Sequence, residues 1–267
     1  MAQEKWLVDG AKVIDVDTVR KLKVALIAGQ VDIVGHDEPT ARIEVHSIKG
    51  RELKVTLEGD TLTIDHPQLG WDNWIDVFKN FSGGNARADV SIMVPRDIEL
   101  KFGVVSASGL ISGLNSEGSI STVSGDIVID GVNGDLQLNS VSGELSVRNH
   151  YGKITAKTIS GDITATGEIF GFGGDSVSGD VFLDLEGSPD TVKVNTVSGD
   201  VTTRLVEGYP AQYRINTASG RLQFDDSHIT GVHGAYQSKF GVLDKKWLDF
   251  KANTVSGNIS VLHRVSA

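Results

Sequence analysis

Apolar residues recur along this chain in a frame set by one short phrase. Val123-Ser124-Gly125-Asp126 returns as Val141-Ser142-Gly143-Glu144, Ile159-Ser160-Gly161-Asp162 and Val177-Ser178-Gly179-Asp180, with the glycines 18 residues apart. Val197-Ser198-Gly199-Asp200 and Ala218-Ser219-Gly220-Arg221 follow at intervals of 20 and 21, and Val255-Ser256-Gly257-Asn258 comes 37 residues later, close to two periods. Between the main phrases, Val132-Asn133-Gly134-Asp135 and His150-Tyr151-Gly152-Lys153 mark a half-period of nine. Counted from Val123, apolar residues fall at offsets 0, 4 and 6: Val123, Ile127, Ile129, then Val132, Leu136, Leu138, then Val141, Leu145, Val147. Offsets 4 and 6 are the alternation of a strand with one buried face. The intervening glycine predicts a bend, where a positive φ costs glycine nothing.

Self-similarity at a fixed period is the signature of a repeat architecture. The spacing predicts an all-β chain: a β-solenoid, β-helix-like or β-roll-like, with 18-residue coils made of two nine-residue strand-turn units. One such coil buries too little aliphatic surface to offset its own ordering, so each coil needs a neighbour. A left-handed hexapeptide helix has a sub-period of six, which does not fit. An antiparallel meander of nine-residue units gives a similar periodicity and is the alternative architecture.

Residues 1–100 read as an irregular N-terminal β part and cap, and 101–267 as regular solenoid repeats. Leu22, Val24, Leu26 and Ala28 alternate before Gly29; Ile43 and Val45, Leu53, Val55 and Leu57, and Leu62 and Ile64 follow. No Ser/Pro-rich linker separates the parts, so one continuous domain is expected. Segment 70–84 breaks the strand pattern. Trp71, Trp74, Ile75 and Phe78 fall at helical spacing with Phe81 following, which suits a cap over the open end of the core. The same aromatic residues, Trp71, Trp74, Phe78 and Phe81, are candidates for docking a partner. A second irregular stretch, 225–246, holds His228, His233 and Tyr236 and reads as one decorated coil.

Charge and composition narrow the function classes. The formal charge is −10 with no basic cluster, which argues against nucleic acid and against unaided docking on anionic lipid. There are no cysteines, so disulfides, thiolate metal sites and cysteine nucleophiles are excluded. The first residues, Met1 to Trp6, lack a signal-peptide pattern, and the longest apolar run, Val24 to Ala28, is far short of a membrane span. The expectation is a cytoplasmic protein without direct membrane insertion, whose partners are proteins, membrane-associated ones among them.

The acids after the Ser-Gly phrase, Asp126, Glu144, Asp162, Asp180 and Asp200, are placed to stack as a ladder at about 4.8 Å. Calcium along such a row is the one metal reading the sequence offers. Two exposed charges at that distance repel by only about 0.9 kcal/mol in water, so the ladder stands without metal. The calcium-binding Gly-Gly-x-Gly-x-Asp pattern is absent; Gly173-Gly174-Asp175 is a lone fragment. Seven equivalent serines are a structural signature, their hydroxyls bonding backbone at the bend, and no Gly-x-Ser-x-Gly elbow occurs. The scattered histidines form no HExxH pair. No catalytic or cofactor-binding residues, and no cofactor, are expected.

These residues resemble the bacterial Toastrack, or LiaG-like, family of β-strand repeat proteins, also called "putative adhesins". The match lies in Leu22-Lys23-Val24 followed by Gly29-Gln30-Val31-Asp32-Ile33, in Val94-Pro95 at entry to the repeats, in the serial phrases, and in Thr254-Val255-Ser256-Gly257-Asn258-Ile259. The resemblance implies a β-solenoid, no established catalytic residues and no defined biochemical role. Some relatives are associated with cell-envelope stress systems, and many carry a membrane segment or signal, which this sequence does not display. The functional expectation is a non-enzymatic protein-interaction scaffold linked to envelope stress. The alternative is an adhesin-like solenoid that binds carbohydrate or calcium.

Overall fold

The computed structural model describes residues 3–66, 86–230 and 233–265. The described residues form 24 strands and no helix, and none of their segments is a helix long and apolar enough to cross a membrane. The chain divides into two compact units, Met1–Val128 and Ile129–Ala267.

The first unit contains β1 (Gln3–Val8), β2 (Lys12–Val16), β3 (Lys21–Leu26), β4 (Ala28–His36), β5 (Ala41–Lys49), β6 (Leu53–Glu58) and β7 (Thr61–Asp65). After the undescribed segment come β8 (Arg87–Pro95), β9 (Glu99–Val104), β10 (Ser108–Ser112) and β11 (Gly118–Thr122); β12 (Ile127–Asp130) spans the unit boundary. Pairing gives two sheets, β1-β6-β7-β3-β9-β11 and β2-β5-β8-β4-β10. The β3–β4 coil is inserted, in parallel, between β7/β8 and β9/β10. Its alternating side chains Leu22, Val24, Leu26, Val31 and Ile33 are completely buried, because both of its edges are covered. Towards the far end of each sheet the pairing becomes antiparallel, through β6 on β7 and β1 on β6 in one and β5 on β8 and β2 on β5 in the other.

The second unit contains β13 (Leu136–Ser140), β14 (Leu145–Thr158), β15 (Ile163–Ser176), β16 (Val181–Leu185), β17 (Thr191–Asn195) and β18 (Val201–Leu205). It continues with β19 (Ala211–Thr217), β20 (Leu222–Phe224), β21 (Ser227–Ile229), β22 (Gly234–Phe240), β23 (Leu248–Thr254) and β24 (Ile259–His263). Coils stack in parallel, Leu145 on Ile163 and Ile163 on Val181, which is the in-register stacking of a β-solenoid and not of a meander. The aliphatic positions at offsets 4 and 6, from Leu136 through Val201, form the core. In β14 and β15 the half-turn is not a break. One long strand bends there, with register shifts after Val147 and Gly152.

Three expectations change. The final phrase does not stack two periods beyond the sixth: β23–β24 lies between β17/β18 and β19/β20, so Val201 pairs with Ile259, which pairs with Leu222. The 225–246 stretch is not a decorated coil, because β21 and β22 pair antiparallel with β20 and β19 and finish the two sheets. The offset-0 residue also leaves the core in the later coils, where Ile159, Val177, Val197 and Val255 are 53%, 47%, 47% and 52% exposed. Alternation explains this: the residue before each, Thr158, Ser176, Thr196 and Thr254, takes the inward position.

Candidate functional site

The phrase is best understood atom by atom. The buried hydroxyl one residue before it closes the bend: Thr158 Oγ1 donates to the Gly161 carbonyl at 2.9 Å and accepts from the Gly161 N–H at 2.9 Å. Thr122 does the same to Gly125, and Thr196, Thr217 and Thr254 accept from Gly199, Gly220 and Gly257 at 2.8–3.0 Å. The phrase serine reaches the neighbouring coil instead. Ser160 N–H and Oγ both donate to the Val141 carbonyl, and Ser178 does likewise to Ile159. The repeated hydroxyls are therefore spent on backbone, as their repetition predicts.

The phrase glycines answer a different need from the one predicted. Gly161, Gly179, Gly199, Gly220 and Gly257 do not have the positive φ expected of a bend. Instead a Cβ on Gly179 would lie 2.1 Å from the Gly161 carbonyl oxygen, and one on Gly257 would lie 2.0 Å from that of Gly199. Stacked backbones pass too close for any side chain.

The acids cap the next coil. Asp162 Oδ1 accepts the Asp180 N–H, Asp180 Oδ1 the Asp200 N–H, and Asp200 Oδ1 the Asn258 N–H, each at 2.8 Å. Asn258 Oδ1 then accepts the Arg221 N–H at 3.2 Å, so the ladder follows spatial rather than chain order. Asp126 and Glu144 are exposed at the equivalent position. Among the described residues no group of three or more His, Cys, Asp or Glu side chains is arranged to hold a metal ion. Trp71, Trp74, Phe78 and Phe81 lie outside the described residues. His228 is exposed, and His233 Nδ1 meets the Ala218 carbonyl at 2.6 Å, so the two serve no common site. His263 fastens the last coil: Nδ1 contacts Asp225 at 3.0 Å, Nε2 contacts the Tyr209 carbonyl at 3.0 Å, and the ring stacks on Phe240.

An open trough on the outer surface of β17, β23, β19 and β22 was not foreseen from the sequence. One pocket of about 320 Å³ is lined by Lys193, Arg214, Asn216, Tyr236, Lys251 and Asn253, among others. A second, of about 400 Å³, shares Asn216 and Asn253 and extends to Ala218 and Val255. The signal was present: Lys193-Val194-Asn195-Thr196, Lys251-Ala252-Asn253-Thr254 and Arg214-Ile215-Asn216-Thr217 each place a cation and an amide two residues apart, hence on one face of a strand. Register puts Lys193 beside Lys251, and Lys251 beside Arg214. The amides form a chain, Asn216 to Asn253, Asn253 to Asn195 and Asn195 to Asp175, each bond 2.7 Å. Asp249 pairs with both Lys251 and Arg214. Its partial burial opposes ionisation, but these two cations outweigh that and hold its carboxyl below the usual range.

Two-sheet coils with parallel stacking, closed by hydroxyl ladders, define a β-solenoid-like repeat protein. The model of the Toastrack DUF4097 family matches residues 19–262, and the chain belongs to that family. Similar solved structures include a "putative lipid binding protein" from Parabacteroides distasonis, at 14% identity and a TM-score of 0.57, covering 95% of this chain and 97% of that one. They also include a "putative adhesin" from Bacteroides fragilis (12% identity, 94% and 97% covered, TM-score 0.35) and one from Parabacteroides merdae (11%, 97% and 96%, 0.37). At these identities the likeness is one of fold, and only the first superposes well enough to carry it. No match is found among proteins of curated function.

Proposed function

We propose that this Toastrack protein is a non-enzymatic scaffold that binds protein partners along its stacked coils. The observation behind this reading is the exposed aliphatic row of Ile159, Val177, Val197 and Val255, one side chain per coil. The backbone bonds Ser178 N–H to Ile159, Val197 N–H to Val177 and Val255 N–H to Val197 hold those coils in line. A ridge of half-exposed aliphatic side chains on a rigid backbone loses little entropy on docking, which favours its use as a binding surface. A place in a cell-envelope stress assembly, including membrane-associated partners, follows the family resemblance.

The test replaces Val177 and Val197 by Ser and compares affinity capture from the native cell by quantitative mass spectrometry. A defined partner set is expected to be lost at unchanged melting temperature. Retention of the same partners by the folded variant would reject the row as the docking surface.

A further inference from the structure

We propose that the trough on β17, β23, β19 and β22 is a binding site for an acidic saccharide, one that carries a carboxylate on a hydroxyl-rich ring. The cations and amides that carry this site lie outside the aliphatic row of the scaffold, although Val255 borders both surfaces. It starts from an arrangement the fold does not explain. In a chain of net charge −10, three cations on three neighbouring strands are direct lateral partners: Lys193 with Lys251, and Lys251 with Arg214. Like charges placed side by side on a sheet destabilise it. Asp249 offsets only part of this, since it serves both Lys251 and Arg214, and Lys193 forms no ion pair among the described residues. The site therefore holds an excess of positive charge that an anion would neutralise.

The repeat makes the arrangement deliberate in a geometric sense. The cation-x-Asn-Thr phrase occurs in the coils of Lys193, Lys251 and Arg214, which are separated in sequence. The inserted β23–β24 coil brings them into adjacent register. Coils outside the trough have other residues there, as in Gly173-Gly174-Asp175-Ser176 and Gln137-Leu138-Asn139-Ser140.

The amide chain then selects the class of anion. Each of Asn216, Asn253 and Asn195 uses one amide hydrogen on its neighbour, which leaves a second donor on each. An alkyl chain laid over Asn216 and Asn253, which line both pockets, would bury those donors without partners, a costly outcome. Ring hydroxyls instead satisfy them. The cations bind a carboxylate at one end, and Ala218 and Val255 offer an apolar surface to the sugar ring at the other.

Isothermal titration of the full chain with trigalacturonate tests the proposal, with maltotriose, triglutamate and inorganic phosphate as comparison probes. Trigalacturonate is expected to bind at least tenfold more tightly than any of the three. Lys193→Gln, at an exposed position, is expected to weaken it at least tenfold with unchanged melting. Equal binding of maltotriose, of triglutamate or of phosphate, no binding of trigalacturonate, or an unaltered affinity in folded Lys193→Gln would each overturn the assignment.

Discussion

Replacing Gly179 by Ala tests whether the coils are stacked as closely as the glycine column requires. The new Cβ would sit 2.1 Å from the Gly161 carbonyl oxygen, backbone that has no flexible end to swing away. A normal carbon–oxygen contact needs roughly 1 Å more, on a coil spacing of about 4.8 Å. Opening that gap strains the bonds that hold the same two coils together, Ser178 N–H to the Ile159 carbonyl at 2.9 Å and Asp180 N–H to Asp162 Oδ1 at 2.8 Å. Overpacking costs about 1–3 kcal/mol and each weakened hydrogen bond about 1 kcal/mol, so the total is about 3–5 kcal/mol. For a chain of this length that lowers the melting temperature by roughly 10 °C. Gly173→Ala supplies the control on the neighbouring strand, because its Cβ would meet nothing nearer than Thr155 Oγ1 at 4.0 Å. That change should be neutral or stabilise by about 0.5 kcal/mol through a less flexible unfolded chain. Both variants are followed by calorimetry and denaturant titration. Equal melting of the two would refute the close-stack account of the phrase.

Two further outcomes follow from buried and laddered groups. His66 is completely buried, with Nδ1 accepting the Ile27 N–H at 3.2 Å, and burial followed by the nearby Arg51 charge lowers its pKa to about 4. Its folded pKa lies below the unfolded value, so its contribution is full above about pH 6.5 and falls as pH drops towards 4, by about 3 kcal/mol. Urea titrations at pH 7.5 and 4 should show a smaller pH-dependent loss in His66→Gln than in the native chain, and equal losses would disprove the assignment. Asp200→Ala should cost about 1–3 kcal/mol by leaving the Asn258 N–H without its acceptor. EDTA should leave the melting temperature of the native chain unchanged, and a drop on adding EDTA would mean that the acids hold a cation.

The strands were legible in the sequence because alternation is a local property: Ile127, Leu145, Ile163 and Val181 all fall at the predicted inward offset and all are buried. The phrase was legible as a bend but was framed one residue late. Thr158 and Thr196 do the capping from the position before Ile159 and Val197, and a polar residue ahead of an apolar one does not announce itself as core. The same shift hid the Lys-x-Asn-Thr pattern. Neither inserted coil could be read at all. The 37-residue interval to Gly257 looks like two periods, yet the neighbours of Gly257 are Gly199, 58 residues back, and Gly220. Nothing local to either segment specifies which edge a coil will join.

The insertions also explain how the ends of the sheets are protected. A parallel coil at the end of a stack presents open backbone groups that invite pairing with another chain. In the second unit the chain runs past that edge to build β21 and β22 on it, antiparallel, before β23–β24 returns to the interior of the stack. In the first unit β3–β4 occupies an interior place while β1 and β2 supply antiparallel strands at the edges. These edge strands carry exposed polar residues, Gln3, Glu4 and Lys5 on β1 and Gln237 and Lys239 on β22, beside exposed Leu7 on β1 and Val13 on β2. Each inserted coil thereby lies inside the stack of its own unit. Loss of the β23–β24 coil would remove a parallel neighbour from both β17 and β19, along with the middle cation and middle amide of the trough, so the coil that returns to the interior of the second unit is also the one that assembles its proposed binding site.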